Sequence, residues 1–214
     1  MSEERLLRFI FCALVVTLIA LWYVKSDRTQ MTDSPATEKI PGDSGQTVKI
    51  SFLDIGQGDA TLIDFANGEQ MLVDCSKDAR ILTALGRNMK PFDRTIDYLV
   101  VTHPDNDHYG GCIDVLDRFT VKNIWYNGVR KTNDSYWNFF WDKMHAEGAE
   151  YWQVNTATTR IVASTTIRIL YPDHDVASSP RVPGSTKDTG DNNTSIIFRL
   201  ENGDSSVLMT GDME

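Results

Sequence analysis

The chain has 214 residues, 41% of them hydrophobic and 24% charged, with 21 Lys and Arg against 30 Asp and Glu for a formal net charge of −9. That composition is ordinary for a chain that builds a core, and its acidic balance argues against a protein that grips nucleic acid through a broad basic face. It leaves room for an enzyme that supplies positive charge locally through bound divalent cations.

The first 25 residues stand apart. Residues 6–24 read LLRFIFCALVVTLIALWYV, with Arg8 as the only charge and Trp22-Tyr23 where an interfacial aromatic belt falls. No A-x-A cleavage pattern lies near the end of this run. Residues 1–25 are therefore expected to be one N-terminal transmembrane helix anchoring an extracytoplasmic domain, with a cleaved signal and a secreted protein as the alternative. Residues 26–47, polar and rich in Ser, Thr, Asp, Pro and Gly, read as a flexible linker. The globular part is expected over 48–214.

From there, short alternating units follow. Strands are expected at 49–54, 60–65 and 70–74, with Asn67-Gly68 turning the last two into a hairpin. Residues 79–89 have helical spacing, with Ile81, Leu82, Leu85 and Met89 on one face. The run IDYLVVT at 96–102 suits a buried strand, and a helix starting near Asp107 would carry Ile113, Leu116 and Phe119. A strand at 121–126 and a helix at 134–146 come next. Strands follow at 150–154, 166–171, 194–200 and 206–210, the last two joined by Asn202-Gly203-Asp204, while 172–191 is a polar loop with three prolines. Hairpins followed by strand–helix alternation indicate a mixed sheet covered by helices, α/β or α+β. Cys12 lies in the apolar run. Cys75 and Cys112 have no CxxC spacing, which excludes a zinc finger or disulfide scaffold. They read as two buried thiols, with one bridge between them as the alternative in an oxidising compartment.

The chemistry is concentrated at His103-Pro104-Asp105-Asn106-Asp107-His108, which places four possible metal ligands in six residues between a buried strand and a helix. In an extended segment positions i and i+2 project to one side, so His103 and Asp105 can share an ion. The turn into the helix lets Asp107 and His108 reach a second. Gly110 and Gly111 remove side-chain bulk where this loop packs closely. Imidazole with carboxylate suits Zn²⁺, Mn²⁺ or Fe²⁺, and the oxygen-rich balance brings in Mn²⁺ or Mg²⁺. The bland reading is that Asp caps and turns account for the segment. His174 and His145 read as solvated, and Trp137, Phe140 and Trp141 as core rather than a stacking platform.

These residues resemble the metallo-β-lactamase superfamily, whose signature is H-x-H-x-D-H on a strand-to-helix loop, and within it the hydrolase domain of ComEC-type competence proteins. The resemblance rests on FLDIGQGDA at 52–60, LVDC at 72–75, THPDNDHYGG at 102–111, NNTS at 192–195 and LMTGDME at 208–214, and so spans about residue 48 to the end. It implies an αββα sandwich and two divalent ions, Zn²⁺ or Mn²⁺. His103 and Asp105 would serve the first ion, Asp107 and His108 the second, and Asp212 would bridge them. Asp74 would orient a ligand from behind, and Asp59 would lie at the substrate mouth. Asp105 stands where the family has a histidine, as does Asn193 in many members, and both departures weaken the first site. The family continues past Gly-Asp-x-Glu to a His-His-Gly-Ser-like motif, so the chain is expected to be C-terminally truncated, with the second half of the sandwich incomplete. The resemblance further implies a phosphodiesterase, with Asp107 and Asp59 in the reaction, acting as a nuclease on DNA by a two-metal-activated water. Hydrolysis of another ester or lactam, or a catalytically inactive binding module, is the alternative. No protein partner is expected.

Overall fold

The computed structural model describes residues 47–180 and 190–214. The expected membrane segment, the linker as far as residue 46 and the 181–189 part of the proline-containing loop lie outside the described residues. Among the described residues no helix is long and apolar enough to cross a membrane.

Two sheets pack face to face. The first is ordered β1 (Lys49–Phe52), β2 (Thr61–Asp64), β3 (Gln70–Val73), β4 (Thr95–Val101), β5 (Thr120–Tyr126) and β6 (Glu150–Gln153). Strands β1 to β3 form an antiparallel meander, tightened at Asn67-Gly68 by pairing of Asp64 with Gln70. From β3 to β6 the strands run parallel. The parallel strands are connected by α1 (Arg80–Asn88), α2 (Asn106–Tyr109) with α3 (Cys112–Arg118), and α4 (Ser135–Ala146). The second sheet is antiparallel, in the order β10 (Ser205–Met209), β9 (Ile197–Asn202), β8 (Thr165–Tyr171), β7 (Thr158–Val162).

Alternation along the central strands builds both cores. Leu62, Leu72, Leu99, Val101, Ile124 and Tyr126 face the helices, meeting Ile81, Leu85, Leu116, Trp137 and Phe140. Their neighbours Ile63, Met71, Val73, Val100 and Trp125 face the second sheet, meeting Val162, Ile167, Ile169, Phe198 and Leu200. Of the α4 aromatics read as core, Trp137 and Phe140 are fully buried against Tyr109 and Trp141 packs half-buried beside them, while Tyr136 and Phe139 are exposed. Asp134 caps this helix, accepting from the amides of Tyr136 and Trp137. The outer face of the second sheet carries no helix among the described residues and leaves Ile161, Leu170 and Leu208 exposed.

Four expectations change. The helix expected from Asp107 through Phe119 is broken at Gly110-Gly111, because the 75–78 segment crosses there. A Cβ on Gly110 would lie 2.2 Å from the Lys77 carbonyl oxygen, and one on Gly111 2.2 Å from that of Cys75. Cys75 and Cys112, read as thiols, are disulfide-bonded with their Cα atoms 5.1 Å apart, since this same crossing brings them together. Strand β7, TTRIV, was not expected: only Val162 is buried, so an apolar alternation is missing. In addition, 192–194 forms a short 3-10 turn and β9 begins only at Ile197.

Candidate metal centre

The carboxyl ends of β3, β4 and β5 lie side by side, the edge of an open parallel sheet where ligands bind. Asp74 follows β3, Thr102 and His103 follow β4, and Asn127 follows β5. Asp74 is buried with φ of 57°, a left-handed conformation that Asp tolerates better than most residues. Its Oδ1 accepts from the Thr102 amide at 2.8 Å. Its Oδ2 accepts from the Thr102 hydroxyl at 2.7 Å and is 2.9 Å from His108 Nδ1.

The hydrogen bonds fix a proton on Nδ1 of each ring. A carboxylate only accepts, so His108 Nδ1 carries a proton and Nε2 turns toward Asp212. The Thr102 hydroxyl spends its proton on Asp74, and the Ser195 hydroxyl spends its own on the Asn192 carbonyl at 2.6 Å. Both hydroxyls contact His103 Nδ1, at 3.0 and 3.2 Å, and can only accept there. His103 therefore donates from Nδ1 and turns Nε2 toward the centre. That Nε2 is fully buried and has no hydrogen-bond partner.

Asp212 completes the group. Its Oδ2 is 3.4 Å from His108 Nε2. A ring nitrogen of each histidine and an Asp212 carboxylate oxygen lie within 4.8 Å of one another. Gly211 delivers Asp212 to this point: its φ is 51°, and a Cβ there would lie 2.7 Å from Ser195 Oγ and 3.2 Å from Thr102 Cβ. The Asp212 amide then donates to Ser195 Oγ at 3.3 Å. Burial opposes the charging of His108, but the Asp74 carboxylate bonded to Nδ1, with Asp212 and Asp107 nearby, pushes it up to about 9. An oriented imidazole pair, an orphaned buried nitrogen and a carboxylate suit a divalent transition-metal ion.

The other candidates are placed as follows. Asp105 Oδ2 faces His103 Nε2 at 3.5 Å, while its Oδ1 is 2.6 Å from Lys131 Nζ. The His103 ring, opposed by burial and assisted by the Lys131 ammonium, holds the Asp105 carboxyl well below the usual carboxylate range. Asp107 lies outside the grouped triad, though its charge reaches both His108 and Asp59. Its carbonyl accepts the Asp59 amide at 3.3 Å. Asp59 lines a groove with Gly58, Thr210 and Gly211, its carboxyl raised first by burial and then by Asp74, Asp212 and Asp107 against the opposing charge of His108. Asn193 is buried and accepts the Glu214 amide at 3.1 Å, tying the Asp212 segment to the 192–195 turn. His174, half-buried, bonds Asp173 and the Ser179 carbonyl and is not part of the triad, and His145 is exposed.

Sequence reasoning missed Thr102, Asn127, Lys131 and Ser195 as contributors. Asn127 donates to the Thr194 carbonyl at 2.7 Å and the Thr102 carbonyl at 3.3 Å, joining the strand ends to the turn. Thr102 and Ser195 stood inside the quoted motifs, which was a usable signal. Lys131 had none.

The family profile described as the metallo-beta-lactamase superfamily matches residues 53–214. The chain is similar to Recombination protein 2 of Haemophilus influenzae, 27% identical over 175 residues that cover 80% of this chain and 19% of that protein. It thus spans about a fifth of that relative's length. Among solved structures it is similar to the metallo-beta-lactamase fold protein YhfI from Bacillus subtilis, at 14% identity and a TM-score of 0.47 over 76% of this chain and 61% of that one. It is also similar to Zn²⁺-bound PqqB from Methylobacterium extorquens, at 14% identity and a TM-score of 0.47 over 70% and 51%.

Proposed function

Since the chain belongs to the metallo-β-lactamase superfamily, we propose that its folded domain is a metal-dependent hydrolase that cleaves phosphodiesters, with DNA as the substrate. The observation that carries this reading is the convergence of His103, His108 and Asp212 around a buried imidazole nitrogen that makes no hydrogen bond within the standard distance and angle limits. A divalent ion held there would acidify water near neutral pH and offset charge developing on a phosphate. The chain's own residues do the rest. Asp74, Thr102 and Ser195 hold both imidazoles with Nε2 turned to the metal position, where a bound ion would displace the His108 Nε2 proton. Asp59, with its raised carboxyl, is the group placed to give a proton to the leaving oxygen.

DNA as substrate is supported by the resemblance to ComEC-type proteins, with which the similarity to Recombination protein 2 agrees. A groove of about 200 Å³ beside Asp59 and Gly211 is also lined by Phe52, 73% exposed, which offers a stacking surface to a base. The carboxylates of the motif suggested two ions, Zn²⁺ or Mn²⁺. The geometry supports one position most strongly, that of the grouped triad. The apolar N-terminal segment supports a membrane tether, or export as a secreted protein, and the Cys75–Cys112 bridge supports an extracytoplasmic, oxidising setting.

The alternative of an inactive binding module is favoured by the engagement of Asp105 with Lys131. Incubating the full chain with single-stranded DNA, or with a chromogenic lactam, in Mn²⁺ or Zn²⁺ separates these readings. Metal-dependent DNA cleavage, falling at least about a hundredfold in H108A and D212A, is expected, because removing a ligand removes the ion's transition-state stabilisation. Lactam turnover without DNA cleavage, or no turnover at all, contradicts it.

A further inference from the structure

Lys131 lies between β5 and α4, and its side chain is 28% exposed. Its Nζ is 2.6 Å from Asp105 Oδ1 and 2.8 Å from Asp191 Oδ2. Asp105 belongs to the strand-to-helix loop. Asp191 opens the turn whose Ser195 holds His103. Two carboxylates from distant segments therefore converge on one point. The other oxygen of Asp105 faces His103 Nε2 at 3.5 Å, and that nitrogen is fully buried without a hydrogen-bond partner. A carboxylate oxygen and an imidazole nitrogen facing each other at this distance need positive charge, as a proton on the ring or as a cation between them. Two carboxylate oxygens from distant segments would attract a second divalent cation, but the point between them holds the Lys131 ammonium.

We propose that Lys131 supplies, as a fixed part of the chain, the positive charge that a second ion would bring, so that the centre takes a single divalent ion. The one ion is held by His103, His108 and Asp212. The ammonium occupies oxygens of Asp105 and Asp191 by charge-assisted hydrogen bonds and repels a dication from the same point. Lys131 is thus a positioning residue that sets the metal count. This assignment rests on the metal centre of the proposed function but reaches further, since that reading leaves the number of ions open.

The test is a count of bound Mn²⁺ or Zn²⁺ per full-length chain, by elemental analysis and equilibrium titration. The methionine side chain of K131M keeps the length and removes the charge, while K131R keeps the charge. Circular dichroism verifies that each variant is folded. The proposal expects one ion in the wild type, two in K131M with a spin-coupled two-manganese signal in electron paramagnetic resonance, and one in K131R. Two ions in the wild type overturn the proposal and leave the hydrolase reading intact, and a K131M count that stays at one overturns it as well. No bound ion in any form removes both.

Discussion

Asp74 carries more of the site than its distance from the metal position suggests. Its carboxylate takes one amide, one hydroxyl and one imidazole, and through Thr102 it also determines which nitrogen of His103 bears the proton. D74N isolates this role, because Asn tolerates the left-handed backbone nearly as well as Asp. The Asn oxygen would stay on the Thr102 amide, and the Asn NH₂ would face the Thr102 hydroxyl and His108 Nδ1. Both imidazoles would then move their protons to Nε2, where they block the ion. The expected result is metal affinity weakened by about 10- to 100-fold, the range seen when groups behind a ligand are lost. Nitrogen-15 chemical shifts should show the proton on Nε2 of both rings in the metal-free variant. Unchanged tautomers with unchanged affinity would contradict the assignment. The histidines and Asp212 were legible as candidates from spacing and motif. Their orienting hydroxyls were not, because Ser195 lies 92 positions from His103 and only folding joins them.

The segment after β3 and the start of α3 form one unit, locked three ways. The Cys75 amide donates to the His108 carbonyl at 2.7 Å, Gly111 donates to the Ser76 carbonyl at 3.0 Å, and Cys75 is bonded to Cys112. The bridge closes a loop of sequence separation 37, which in the chain-entropy picture stabilises the fold by about 4 kcal/mol. Urea unfolding of the chain with and without a reductant, alongside C75A/C112A, should show a loss of that order in the oxidised-to-reduced comparison. Coincident transitions would contradict a structural bridge. The long, strongly periodic elements were legible: α1, α4, β4 and β5 appear within a residue or two of their expected ends. The break between α2 and α3 was not, because it depends on a backbone crossing from another segment, and β7 hid because its outward residues are polar or exposed.

Across the molecule, two sheets and the helices on one side of them place the metal position at the carboxyl ends of the parallel strands, with the second sheet's β9–β10 hairpin supplying Asp212 from across the sandwich. The mixed α/β character was legible from hairpins followed by strand–helix alternation. How the two sheets divide the strands was not, because the same alternating pattern serves either sheet. Whether three residues from β4's end, α2 and the segment after β10 converge to hold one ion is tested most directly by anomalous X-ray scattering from crystals grown with Zn²⁺ or Mn²⁺. A single anomalous peak bonded to His103 Nε2, His108 Nε2 and an Asp212 oxygen is the expected result. A peak elsewhere, or none beside the two imidazoles, would contradict it.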